Sequence, residues 1–189
     1  ELLAADVFAS DGRGRPRAGA LQIATALDWL AGERAGIVNI SIAGPPNAVL
    51  EVAVQRTTAR GIPIIAAAGN NGADAGPAYP AAYAGVLAAT AVDSSGSIYA
   101  KANRGGYVAF AAPGVDLWTV GPGGAVRGSG TSYAAAFLTA VAAQNIPDGG
   151  TTAARLAAAL SVDARDLGAP GKDPVFGWGL VRARGGCRD

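Results

Sequence analysis

The residues best suited to chemistry lie in GSGTSYAAA, Gly128 to Ala136, where Ser132 stands between a glycine-bounded turn and an apolar segment of helical character. A serine hydroxyl is a weak nucleophile until a neighbouring base takes its proton, usually an imidazole held by a carboxylate. The 189 residues contain no histidine. The pattern is that of a nucleophile whose base is not in the chain. At a helix N-terminus the first N–H groups lack intrahelical partners, and the peptide dipoles sum to a partial positive charge. Ser132 placed there would have an anion site at its own N–H, as the oxyanion of an acyl-transfer intermediate requires. Gly130 is expected to allow close approach, and Ala134, Ala135 and Ala136 leave room over the helix start.

An oxyanion site needs a second donor, and Asn70, with two amide N–H groups, is the best candidate. It ends the strand-like run IIAAAGN. Groups at the carboxyl ends of strands in an α/β sheet face the ligand crevice, which suits the role. The same residue could equally cap a turn within AAGNNG.

The elements that must position these residues follow from periodicity. The opening ELLAADVFA has the pattern of a strand already inside a fold, and the Gly- and Pro-rich segment from Asp11 to Arg17 is expected to be a loop. Its arginines suit a solvated turn better than an anion site. Leu21, Ala24, Leu27 and Leu30 share one face of a helix over Ala20–Ala31, and Asn47 is placed to cap another over Ala48–Arg60, stopped by Gly61. Gly36–Ile42 and Ile62–Ala68 are apolar, β-branched strands. Further strands are expected at Gly85–Val92, Gly106–Ala111 and Asp116–Val120. A glycine-rich, hairpin-like segment over Gly121–Gly130 leads into the Ser132 helix, and a last helix over Thr151–Leu160 is capped by Thr151 or Thr152. Near-continuous apolar strands alternating with amphipathic helices predict an α/β fold, a mostly parallel sheet with helices on both faces.

Half of the chain is hydrophobic and 15% is charged, which suits one substantial core, with no internal repeat or linker to divide it. A net charge of +1 gives no electrostatic case for nucleic acid or an anionic membrane. The longest continuously apolar segment, Tyr133 to Ala143, is far short of the ~20 residues a membrane span needs. The lone Cys187 rules out an internal disulfide and leaves two readings, an incidental thiol or a partner for a cysteine elsewhere. The chain has no methionine, so Glu1 is not expected to be a translation start, and the 189 residues are expected to be a processed product or a fragment. The turn AAGNNG lacks the spaced glycines of a dinucleotide site.

Six segments in order resemble the subtilisin-like serine proteases, the subtilases. GTSYAAAF at Gly130 to Phe137 resembles their nucleophile motif, and AAAGNNG at Ala66 to Gly72 their oxyanion-asparagine motif. YPAAY at Tyr79 to Tyr83 resembles the segment that follows, and NISIAG at Asn39 to Gly44 the strand bordering the substrate channel. AAPG at Ala111 to Gly114 and FGWGLVRA at Phe176 to Ala183 resemble two further markers. The resemblance implies a serine endopeptidase with Ser132 as nucleophile and Asn70 as oxyanion donor. It also implies that Ser41, Ile42, Ala43 and Gly44 pair as a backbone strand with extended substrate. Ala67, Ala68, Gly69 and Ala78 would line the primary specificity pocket, and their small side chains imply an open apolar pocket that accepts large hydrophobic residues.

Family members carry the aspartate and histidine of their triad N-terminal to the serine, and this chain begins beyond both. ELLAADVF resembles the strand that follows the histidine-bearing helix, so residues 1–189 are expected to be a partial subtilase catalytic domain completed by an N-terminal segment of the same domain. Ala136 and Phe137 stand where the family usually has proline and histidine. Alanine prefers a trans peptide, which could reshape the helix start and favours a rival reading, an inactive peptide-binding module. Many relatives bind calcium, and none of Asp74, Asp93 and Asp116 sits in a dense run of oxygen ligands, so surface turns are the expectation there. By the same resemblance the protein would be secreted or periplasmic.

Overall fold

The computed structural model describes residues 1–10, 14, 16–147 and 149–183. Cys187, Arg13 and Arg15 lie outside the described residues. The centre is a parallel sheet in the order β3-β4-β5-β6, built from β3 (Val38–Ile40), β4 (Ile64–Ala67), β5 (Val86–Val92) and β6 (Val108–Pro113). Alternate residues of one strand serve opposite faces, and here both faces are dry. Ile64 and Ala66 pack with Ile23 and Leu27 of α1 (Ala20–Gly32) and with Leu50 and Val54 of α2 (Ala48–Ala59). Ile65 and Ala67 pack on the other side with Ala134, Ala135 and Leu138 of α3 (Thr131–Ala143) and with Leu156 and Leu160 of α4 (Ala153–Ser161). The fold is the expected α/β sandwich of helices on a parallel sheet, because strands buried on both faces must be apolar throughout.

Local chemistry sets the helix ends. Asn47 Oδ1 accepts from Val49 N–H at 3.0 Å and from Leu50 N–H at 3.1 Å, and Thr152, rather than Thr151, caps α4 through a bond from Arg155 N–H at 3.3 Å. α3 runs unbroken through Ala136, and the one cis peptide among the described residues is Tyr79–Pro80. The close approach expected at Gly130 falls on Gly114 instead, where an added Cβ would lie 2.9 Å from the Gly130 carbonyl oxygen; at Gly130 it would make only ordinary contacts.

Two expectations change. The opening segment forms no ladder from residue 1 to 7; its strand is confined to β1 (Phe8–Ser10), paired antiparallel with β2 (Pro16–Ala18), part of the segment expected to be a loop. A strand needs a neighbour, and among the described residues the outer edge of β3 has none. The run Asp116–Val120 is a strand as expected, and it lies outside the main sheet. It forms β7 (Leu117–Gly121), paired with β8 (Gly124–Gly128) in a separate two-stranded ribbon that feeds α3. At the other sheet edge the closing segment straps β6, with Trp178 N–H donating to Ala109 O at 2.8 Å and Ala111 N–H to Gly179 O at 2.9 Å. Gly177, at φ +62°, allows this approach, since a Cβ there would collide with the Ala109 carbonyl.

Leu138 is fully buried between α3 and the sheet. Leu138→Ala is expected to lower unfolding free energy by about 2–5 kcal/mol, whereas Asn47→Ala, which removes only a cap, should lower it by about 1 kcal/mol. Urea denaturation of both variants checks the two magnitudes and their order.

Candidate active site

α3 begins with Gly130 as its N-cap, so Thr131 and Ser132 are its first two helical residues. Ser132 is half-buried, and its Oγ donates to the Ser41 carbonyl at 3.1 Å while Ser41 Oγ donates to the Ser132 carbonyl at 3.0 Å. This reciprocal pair joins the end of β3 to the first turn of α3. Behind it, Asn39 Nδ2 donates to Ser41 Oγ at 3.0 Å, and Thr139 Oγ1 donates to Asn39 Oδ1 at 3.3 Å.

Asn70 reaches the same helix start. Its Oδ1 accepts from Thr131 N–H and from Thr131 Oγ1, each at 3.0 Å, and Thr131 Oγ1 accepts in turn from Gly69 N–H at 3.2 Å. The side chain therefore bonds across to α3 rather than closing its own turn. With the oxygen engaged, the Nδ2 donors are turned elsewhere, and Asn70 is exposed. Among the described residues neither Asn70 Nδ2 nor Ser132 N–H has a hydrogen-bond partner. The two border one space, since a methyl built on Gly130 would lie 3.5 Å from Asn70 Nδ2 and 3.9 Å from Ser132 N.

The segment expected to pair with an extended ligand leaves the ladder after Ile40. Ile42 is half-buried and Ala43 exposed, and among the described residues their main-chain groups have no backbone partner. Gly44 departs from expectation. Its N–H donates to Tyr79 O and its C=O accepts from Tyr79 N–H, both at 2.9 Å, so its N–H is already engaged within the chain. Ala67, Ala68, Gly69 and Ala78 are all buried, and the Ala68 carbonyl accepts from Tyr107 Oη at 2.7 Å. Burial raises the pKa of the Tyr107 hydroxyl, which keeps it a donor.

The aspartates considered for a cation serve other partners. Asp93 Oδ1 accepts from Ser95 Oγ at 2.6 Å and from Ser95 and Ser97 N–H, and these bonds hold its carboxyl below the usual range. Asp116 pairs with Arg127, while Asp74 lies in a turn. Among the described residues no three His, Cys, Asp or Glu side chains gather, and no helix is long and apolar enough to cross a membrane.

Sequence reasoning passed over Thr131, Asn39 and Asn103. Thr131 could have been suspected as a hydroxyl beside Ser132 at a helix start, where such side chains bond to neighbouring polar groups. Nothing in the sequence marks the other two, since Asn39 reaches Thr139, 100 residues away, and Asn103 reaches Gly76, 27 residues away.

Comparison with known proteins identifies the family. The family model of the subtilase family matches residues 2–179. Subtilisin BL of Lederbergia lenta is 35% identical over 145 residues, covering 76% of this chain and 52% of that protein. Minor extracellular protease Epr of Bacillus subtilis (strain 168) is 32% identical over 168 residues, 86% of this chain and 26% of Epr. The chain thus spans about half the length of Subtilisin BL or less of such relatives. Among solved structures, the self-cleaved protease domain of PatA superposes with a TM-score of 0.76 at 30% identity, covering 92% of this chain and 68% of that one. S41 Psychrophilic Protease superposes with a TM-score of 0.79 at 24% identity over 94% of this chain and 67% of its own, a likeness of fold. With the family model matching almost the whole length, this chain belongs to the subtilase family.

Proposed function

We propose that the chain supplies the nucleophile and the oxyanion hole of a secreted serine endopeptidase, and that polypeptide outside these 189 residues supplies the base and its orienting carboxylate. The observation that carries this reading is the pair of unpartnered donors, Ser132 N–H and Asn70 Nδ2, bordering one space at the start of α3. Preorganised donors aimed at developing negative charge are the largest single contribution in acyl transfer. Secretion rests on likeness to relatives such as the one named as an extracellular protease.

In this reading Ser132 Oγ releases its bond to the Ser41 carbonyl, gives its proton to the incoming base and attacks the scissile carbonyl carbon. The carbonyl oxygen takes the electron pair and is received by the two donors. Collapse expels the amine, protonated by the same base, and water repeats the sequence on the acyl-enzyme. The main chain from Ser41 to Ala43 borders Ser132 and can add an extended peptide by strand pairing, with Gly44 serving the Tyr79 bridge instead. The small Ala67, Ala68, Gly69 and Ala78 form the floor of a pocket for a large hydrophobic residue before the cleaved bond.

α3 supports a further segment of the same domain as partner. One face packs on the sheet, while Ala136, Phe137 and Ala140 on the other are exposed, Phe137 at 46%. A helix apolar all round belongs in an interior, so the segment bearing the base would cover this face beside Ser132. The rival reading, peptide binding without cleavage, draws on Ala136 and Phe137 standing where relatives have proline and histidine.

Asn70→Ala in the base-containing protein is expected to lower kcat by roughly 10²- to 10³-fold, a range for which subtilisin is itself the reference case. Unchanged turnover would remove Asn70 from the role. A fluorophosphonate probe should label that protein at Ser132 and spare a Ser132→Ala variant, while the 189-residue chain alone should neither label efficiently nor hydrolyse peptides. Absence of labelling in a folded, base-containing protein would favour the binding module. Mapping of cleavage products should show large hydrophobic residues before the scissile bond; a strict basic preference contradicts the pocket assignment.

A further inference from the structure

Asn103 lies outside the constellation around Ser132, yet it is one of the few polar residues the described fold buries, at 1% exposure. A buried amide must be hydrogen-bonded, and both ends of this one reach the loop from Gly69 to Gly76. Its Oδ1 accepts from Asn71 N–H at 2.8 Å, its Nδ2 donates to the Gly76 carbonyl at 2.9 Å, and its own N–H donates to the Gly69 carbonyl at 3.1 Å. Gly69 has φ +108°, and a Cβ there would lie 2.8 Å from the Asn103 amide carbon, so the loop backbone packs flat against that amide.

Asn70 therefore sits between two residues whose main chains are both tied to Asn103, while its side-chain oxygen is tied to Thr131. We propose that Asn103 is a positioning residue for Asn70, the inner bolt that fixes where the Asn70 amide donors stand relative to Ser132. This rests on the reading of Asn70 as an oxyanion donor. Asparagine suits the post because one planar head carries both an acceptor for Asn71 and a donor for Gly76; serine lacks the reach, and aspartate lacks the donor. A donor that acts in the transition state loses its value when misplaced by about 1 Å, at a cost of roughly 10²-fold in rate.

The test is a double-mutant cycle in the base-containing protein, with kcat taken per molecule by active-site titration. Asn103→Ala is expected to lower kcat by about 10- to 100-fold with KM little changed. In an Asn70→Ala background the same substitution should change kcat by less than about twofold, because the two act through one group. Equal losses in both backgrounds, or a raised KM with kcat intact, overturn the proposal. Should Asn103→Ala fail to fold, Asn103→Asp keeps the acceptor for Asn71 and sets a carboxyl oxygen against the Gly76 carbonyl in place of the donor. It is expected to lower kcat in the same background-dependent way, and an unchanged kcat overturns the proposal. Asn70→Ala without effect on kcat would bring down the oxyanion reading itself, whereas a loss with Asn70→Ala and none with the Asn103 variants brings down only the bolt.

Discussion

The arrangement depends on one contact between distant parts of the chain, the Asn70 side-chain oxygen accepting both the N–H and the hydroxyl of Thr131. It joins the carboxyl end of the central sheet to the first turn of α3. It also decides the orientation of the amide, since a planar carboxamide that offers its oxygen in one direction must offer its N–H groups in another. A first-turn N–H of the helix is satisfied without using up the donors that an anion would meet. The apolar packing of Leu138, Ala134 and Ala135 on β4 and β5 holds the helix at the height that makes this contact possible.

Much of this was legible in the linear chain. The continuous apolar runs at Ile64–Ala67 and Val86–Val92 announce strands covered on both sides, and the Asn47 cap is a local signal that the backbone obeys. Ser132 stood out because glycine and alanine surround it, and Asn70 because it ends a strand. These signals are short-range. What escaped was set by long-range pairing. The run at Asp116–Val120 has a strand's composition, but only its turn partner Gly124–Gly128 decides that it forms a ribbon and not a fifth sheet strand. The opening segment alternates as a strand should, yet alternation cannot supply a neighbour to hydrogen-bond with.

The site shows the same division. That Ser41 lies beside Ser132 is seen in the reciprocal bonds between the two, which join residues 91 positions apart. That Gly44 is consumed by Tyr79 could not be foreseen, because a two-bond bridge between residues 35 positions apart leaves no trace in composition. Asn103 is a stronger case. Nothing distinguishes an asparagine in a polar loop from one that fills the inside of another loop until the chain is folded.

The strap at the C-terminal end treats the two borders of the sheet unequally. By lying along β6 and exchanging main-chain bonds at Ala109 and Ala111, residues 176–181 occupy that border, while among the described residues β3 has no neighbour at its outer edge. The segment thus does more than pack on the sheet, because it occupies backbone groups that an intruding strand would otherwise pair with.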